Sequence, residues 1–324
     1  MNWQPSASLE NLRHRADILA DIRAFFTAKN VLEVDTQALS HATVTDLHLV
    51  SFETRFIDTG AKQDSAQTLY LQTSPEFAMK RLLAANSGCI YQICKAFRNE
   101  ESGRHHNPEF TMLEWYRVGF DHFDLMNEVA ELIFFVLDCE QPIQKTYQQV
   151  FIEHVGIDPL EATIVQLKEV TTEHRLNADW IQREDNKDTI LQFLFAELVE
   201  PKIANEAPCF VYNYPATQAA LAKISTTDNR VAERFELFYR GIELANGFNE
   251  LTDSVEQESR FTADNKLRAQ YQLAEKPIDK HLISALSFGL PDCAGVALGI
   301  DRLVMLALDA NNIDDVIAFP INKA

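Results

Sequence analysis

No apolar run in the chain approaches the roughly 18 residues of a membrane-spanning helix. Positive charge is scarce: 29 Lys+Arg stand against 48 Asp+Glu, a net charge of −19. Such a surface repels phosphate backbones, so general nucleic-acid binding is not expected. The five cysteines (Cys89, Cys94, Cys139, Cys209, Cys293) are odd in number and show no paired CxxC spacing. Neither a zinc site nor a disulfide framework is expected, and reduced thiols suit a cytoplasmic protein. The first fifteen residues, MNWQPSASLENLRHR, have no apolar core and no small-residue cleavage site, so no secretory leader is expected. GxGxxG and GxxxxGK[ST] are both missing, and any nucleotide site must be built another way. Internal repeats and low-complexity tracts are absent too. What remains is 324 residues, 46% apolar and 24% charged, the composition of one large globular domain or two.

Residues 8–28 place Leu9, Leu12, Ala16, Leu19, Ile22 and Phe26 at helical spacing, with Ser8 as N-cap. Residues 31–34 predict a strand. The polar stretch 58–67 reads as a hairpin loop leading into a strand over 69–72. Residues 76–86 suit a short helix stopped by Gly88. Strands over 90–97 and 109–116 are joined by a loop over 102–108. Residues 123–205 change character: helical patterns over 125–137, 166–173 and 189–198 are separated by Pro142, Pro159 and Pro201. Strands return at 210–212 and over 234–244, around an Arg240-Gly241 turn. Residues 253–276 read as a helix, and 295–308 as a strand running into a helix. Strands grouped around a helical block predict an α+β fold with a mainly antiparallel sheet, not alternating βαβ units.

Three segments carry possible chemistry. Phe97-Arg98-Asn99-Glu100, followed by the string from Arg104 through Glu114, sets an arginine beside an acid at a strand end and an aromatic, Phe110, on the returning strand. A guanidinium there can grip phosphate oxygens and stabilise charge developing at phosphorus, and a ring can stack on a purine. FRNE alone reads equally well as a surface hairpin with ion pairs; the full string does not. The second segment, 295–306, ends a strand in Gly299 and puts Arg302 at the start of the next helix, which by itself is also a plain β–α junction capped by Asp301. In the third, 236–250, a turn at Arg240-Gly241 sets Glu236 and Glu243 on adjacent strands. There they could share a divalent cation or simply face solvent.

In this order the three segments resemble the catalytic domain of class II lysyl-tRNA synthetases over nearly the whole chain. Residues 31–36 resemble motif 1, with Gln37 where that family usually has proline; 97–114 resemble motif 2, and 299–306 motif 3. Thr73-Ser74-Pro75-Glu76 and Asn246-Gly247-Phe248-Asn249-Glu250 are similar to the lysine pocket. The resemblance implies one catalytic domain over 1–324, an antiparallel sheet flanked by helices, with a helical insertion at about 123–205 and a homodimer formed through motif 1. It implies ATP held by Arg98, Asn99, Glu100, Asn107, Phe110, Glu243, Leu244, Gly299 and Arg302. Arg98, Glu100 and Arg302 would act in catalysis, and Mg²⁺ would bind Glu236 and Glu243. A lysine-like amino acid would be held by Ser74, Pro75, Glu76, Tyr116 and Glu250.

The resemblance starts almost at residue 1, so no anticodon-binding domain is expected and tRNA is not the expected acceptor. The short form resembles a family of ligases that activate (R)-β-lysine and attach it to the ε-amine of a lysine on elongation factor P. Ala297 stands where lysyl-tRNA synthetases usually have glycine; its methyl could narrow the pocket toward a β-amine, or be a neutral exchange. His105 and His106 lie in the motif 2 loop without marking themselves as a base. The alternatives are a shortened synthetase that charges tRNA, a non-catalytic amino-acid-binding regulator and an amide synthetase acting on a small molecule.

Overall fold

Helix α1 (Leu9–Ala28) begins where the spacing puts it, with Ser8 Oγ accepting the Asn11 N–H at 3.0 Å. Its apolar stripe ends in the fully buried Ile22 and Phe26. Phe26 stacks on Tyr91 at 4.4 Å and meets Trp115 edge-on at 5.3 Å, which fixes the helix against the sheet behind it. The computed structural model describes residues 3–60, 65–176 and 179–324. The chain forms two compact units, one of Met1–Phe120 with Leu251–Ala324, the other of Asp121–Glu250.

In the first unit α1 is followed by β1 (Leu32–Glu33), β2 (Leu39–Ser40), β3 (Glu53–Phe56) and β4 (Gln67–Leu71), then α2 (Glu76–Ala84), β5 (Ile90–Phe97) and β6 (Glu109–Val118). The second unit holds α3 (His122–Leu137), β7 (Ile143–Thr146), α4 (Tyr147–Val155), α5 (Ile164–Glu173), α6 (Lys187–Leu194), β8 (Cys209–Pro215), β9 (Val231–Tyr239) and β10 (Ile242–Asn249). The chain then returns to the first unit with α7 (Ser254–Gln270), α8 (Lys280–Gly289), β11 (Cys293–Gly299) and α9 (Ile300–Ala307). The first unit's sheet runs β1-β5-β6-β11, with β1 parallel to β5 and the other pairs antiparallel. A smaller antiparallel sheet, β2-β4-β3, lies beside it in sequence. β3 and β4 pair as the expected hairpin, although residues 61–64 of its loop lie outside the described residues. In the second unit β10, β9 and β8 are antiparallel and β7 joins β8 in parallel. The fold is α+β and mainly antiparallel, as the grouping of strands predicts.

The helical block of the second unit has its own core. Tyr147 stacks on Phe195 at 5.1 Å and on Phe151 at 5.4 Å, among buried Leu167, Ile190 and Leu194. A π-turn over Phe195–Val199 replaces the end of the helix expected over 189–198 and turns Phe195 into this core. His122, the first residue of α3, is buried and neither ring nitrogen has a hydrogen-bond partner among the described residues. Burial therefore holds its pKa below the ordinary histidine value, against the pull of Glu233 and Asp121. The unfolded chain binds the proton more readily than the native one, so stability rises with pH and falls as pH drops through about 6.5. Urea unfolding at pH 8 and pH 5.5 should show a smaller loss of stability for His122→Phe than for the wild type. Equal losses would mean that another group controls the acid limb.

Candidate active site

Strand register builds one wall of the site. In β5, β6 and β11, Gln92 and Ala297 stand opposite Glu114, Ile90 and Gly295 opposite Tyr116, and Gly299 opposite Met112. Side chains alternate along a strand, so Phe110, Met112, Glu114 and Tyr116 share one face, and Leu113 and Trp115 take the other, toward α1. On the first face β11 contributes only Gly295, Ala297 and Gly299, no side chain larger than a methyl. That leaves a shallow floor beside a row of functional groups. Tyr116 donates its hydroxyl to Glu114 Oε1 at 2.7 Å, and Ala297 stands directly across from this buried pair. Arg98 continues the same face from β5: its guanidinium lies 5.1 Å from the centre of the Phe110 ring and Nη1 is 3.6 Å from Glu101.

The loop from Arg98 to Pro108 starts at one expected arginine and is contacted by the other through His105 and His106. Its base is tied by the Arg98 N–H to Pro108 O at 2.9 Å and the Asn99 N–H to Val50 O at 2.7 Å. Asn99 Oδ1 accepts the Glu100 N–H at 3.0 Å, and Glu100 is held in the left-handed region at φ 68°, uncommon for a residue with a Cβ. Arg302, on the first turn of α9, donates Nε to His105 O at 3.3 Å and sets Nη2 2.6 Å from His106 Nε2. A guanidinium has only donors, so the His106 nitrogen accepts. The His105 imidazole is held below its ordinary pKa by burial, then by Arg104, Arg302 and His106. A Cβ at Gly299 would rest 3.6 Å from Arg302 Cδ, an ordinary contact, so protein packing alone does not demand glycine there.

Other expected residues make contacts within the protein. Asn107 is buried; its Nδ2 donates to Glu109 O at 2.6 Å and its Oδ1 accepts the Ile321 N–H at 2.9 Å. Its amide ties the loop to the segment at Ile321. Before α2, Ser74 Oγ accepts the Glu76 N–H at 3.4 Å and Pro75 occupies the N-cap. Glu76 Oε1 takes the fully buried Lys80 Nζ at 2.7 Å.

In the second unit, Arg240 (φ 49°) and Gly241 (φ 72°) make the two-residue left-handed turn between β9 and β10. Glu243 pairs across with Phe238, and Glu236 with Asn246, so the two carboxylates share a face. Glu236 is engaged, however. Tyr214 donates to its Oε2 at 2.7 Å, while Arg234 and Asn246 Nδ2 (3.2 Å) donate to its Oε1. Burial, then the charge of Glu243, raises the Glu236 pKa against the lowering by Arg234 and Tyr214. The two carboxylates expected to share Mg²⁺ thus stand together on one face. Both Glu236 oxygens carry protein donors, one of them the Arg234 guanidinium. Among the described residues no group of three or more His, Cys, Asp or Glu could hold a metal ion. Leu244, beside Glu243, is buried, and Glu250, just past β10, is a buried carboxylate whose backbone bridges to Ala222.

Glu114 is absent from the residues expected from sequence. The signal for it is its place two residues before Tyr116 on a strand, which puts both on one face.

An antiparallel sheet whose last strand turns into a helix bearing one arginine, facing a loop that begins at another, is shared with a known class of enzymes. The chain belongs to the class II tRNA synthetases (D, K and N), whose pattern matches residues 1–323. Within that class it is similar to elongation factor P–(R)-β-lysine ligase of Photobacterium profundum, 59% identical over 322 residues, 99% of each chain. The ligase of the same name from Edwardsiella ictaluri is 57% identical over 323 residues, 100% of this chain and 98% of that protein. That of Vibrio parahaemolyticus is 58% identical over 319 residues, 98% of each.

Proposed function

We propose that the protein is an ATP-dependent ligase that activates (R)-β-lysine as its adenylate and transfers it to the ε-amine of a lysine on elongation factor P. The amino acid and the acceptor follow the relatives, which are so named and match end to end. The adenylation half is supported by one observation of this chain: Phe110, Glu114 and Tyr116 share a face of β6 beside small residues of β11, with Arg98 over the Phe110 ring and Arg302 gripping the adjoining loop.

Phe110 offers its ring to adenine, which would take the place now held by the Arg98 guanidinium, and Arg98 moves onto the α-phosphate. Arg302 exchanges its His106 contact for the γ-phosphate. Glu100 meets the nucleotide or the substrate amine from the loop. A carboxylate oxygen of the amino acid attacks the α-phosphorus in line, and the bond to pyrophosphate breaks. Positioning and fixed charge carry this step, with no covalent bond to the protein. Glu236 and Glu243 would hold a Mg²⁺ that supplies charge neutralisation to the triphosphate. Tyr116 and Glu250 receive the distal ammonium, with Glu114 behind Tyr116; Ser74 and Glu76 face the other amine. The acceptor amine, with an ordinary pKa near 10.4, loses its proton to water or to the adenylate phosphate before it attacks the acyl carbon, and AMP leaves. The setting we propose is the cytoplasm, with the protein as a homodimer.

Incubation with ATP and either (R)-β-lysine or α-lysine, with elongation factor P or total tRNA as acceptor, tests this by intact mass. A mass gain of one β-lysyl group on elongation factor P, and none on tRNA, is expected. Charging of tRNA in its place would overturn the acceptor.

A further inference from the structure

The antiparallel ladder between β6 and β11 ends at Met112 and Gly299, because β11 turns into α9 there. The next inward donor on β6, the Thr111 N–H, would be left without a strand partner. Asp301 supplies it: its Oδ2 accepts the Thr111 N–H at 2.7 Å, inside the protein. A carboxylate on α9 thus extends the sheet by one bond. Its other oxygen, Oδ1, lies 2.6 Å from Arg15 Nη2, in an ion pair whose side chains are 13% and 3% exposed. The same Nη2 donates to Thr111 Oγ1 at 2.8 Å, and Nη1 reaches Val316 O at 3.5 Å. Arg15 belongs to α1, on the face of the sheet away from Phe110.

The neighbours of this node give it meaning. Thr111 follows Phe110 directly, and Asp301 precedes Arg302 directly. One buried ion pair therefore joins the backbone at the proposed adenine platform to the backbone at the proposed γ-phosphate arginine. We infer that Arg15, through Asp301 and Thr111, is a positioning residue for ATP: it fixes the spacing of Phe110 and Arg302 from behind the sheet. Arg15 touches neither group and meets no nucleotide. Its guanidinium pairs with the Asp301 carboxylate and keeps it aimed at Thr111. Without it, a buried carboxylate loses its counter-ion and β6 can slide against the first turn of α9. The inference rests on the nucleotide reading above and adds a residue to it.

ATP–pyrophosphate exchange with a saturating lysine-type substrate reads the effect. Arg15→Met should raise the KM for ATP by roughly tenfold or more, since small misplacements of binding groups have effects of that order. The KM for the amino acid should stay within about twofold. Arg15→Lys, which restores the charge but not the fork, should recover part of the loss. Thr111→Val keeps the Arg15–Asp301 pair and the N–H bond but removes one acceptor, and should raise the ATP KM by a few fold. If Arg15→Met does not fold, Arg15→Lys and Thr111→Val decide. Combining Arg15→Met with Asp301→Asn should add little to either alone, because both break one node. Lower melting temperatures with an unchanged ATP KM would make Arg15 merely structural and overturn the inference. Absence of exchange in the wild-type protein would instead overturn the nucleotide reading itself.

Discussion

Arg302→Ala should lower ATP–pyrophosphate exchange by about 10²–10³-fold, the usual cost of removing one preorganised charge from a phosphoryl transition state. The side chain is only partly buried and touches the His105–His106 loop. Its loss should therefore change thermal unfolding by no more than a few degrees. Arg302→Lys should recover only part of the rate, because an ammonium cannot reproduce the forked donor pattern. Differential scanning fluorimetry beside the exchange assay separates the two readouts. Exchange at the wild-type rate in a folded Arg302→Ala protein would remove this residue from the nucleotide.

Glu250→Gln should raise the KM for the lysine-type substrate by a comparable factor, about 10²–10³, with ATP binding little altered. The carboxylate is 1% exposed, at the end of a strand whose preceding residues include Asn246 and Phe248. Breaking a buried ion pair by removing one member costs about 3–5 kcal/mol, which sets the scale of the loss. Glutamine keeps the size and an acceptor oxygen, so the measured change isolates the charge. Isothermal titration with (R)-β-lysine in the presence of a non-hydrolysable ATP analogue gives the affinity directly. An unchanged Kd would place the distal ammonium elsewhere.

Much of this architecture can be read before folding, and the reasons are specific. α1 announces itself through a stripe from Leu9 to Phe26 and a serine cap; the β9–β10 hairpin does so through Arg240-Gly241. β5 and β6 carry enough apolar residues to be seen as strands. By contrast, α4 and α8 are short, and their apolar positions do not run long enough to stand out, although Thr146 and Gln149 form a capping box. β3 is exposed at every residue and has no alternation to detect. At the site, residue identities were legible and their commitments were not. The fate of the Asn107 amide depends on Ile321, more than two hundred residues along the chain. That of Glu236 depends on Tyr214 from the neighbouring strand and on Arg234, two residues away. Spacing along a hairpin can bring two carboxylates to one face, but it cannot show that a guanidinium has already claimed one of them.

The first unit is interrupted: its strand β6 is made early and its neighbour β11 very late, with all of the second unit translated between them. A growing chain on the ribosome can therefore complete the 121–250 unit while the other still waits for its last strand and helix. Arg302, and Asp301 beside it, emerge after the whole of the second unit, well behind Arg98 and Phe110. Until β11 arrives, the edge of β6 lacks its neighbour and is a segment in need of chaperone protection.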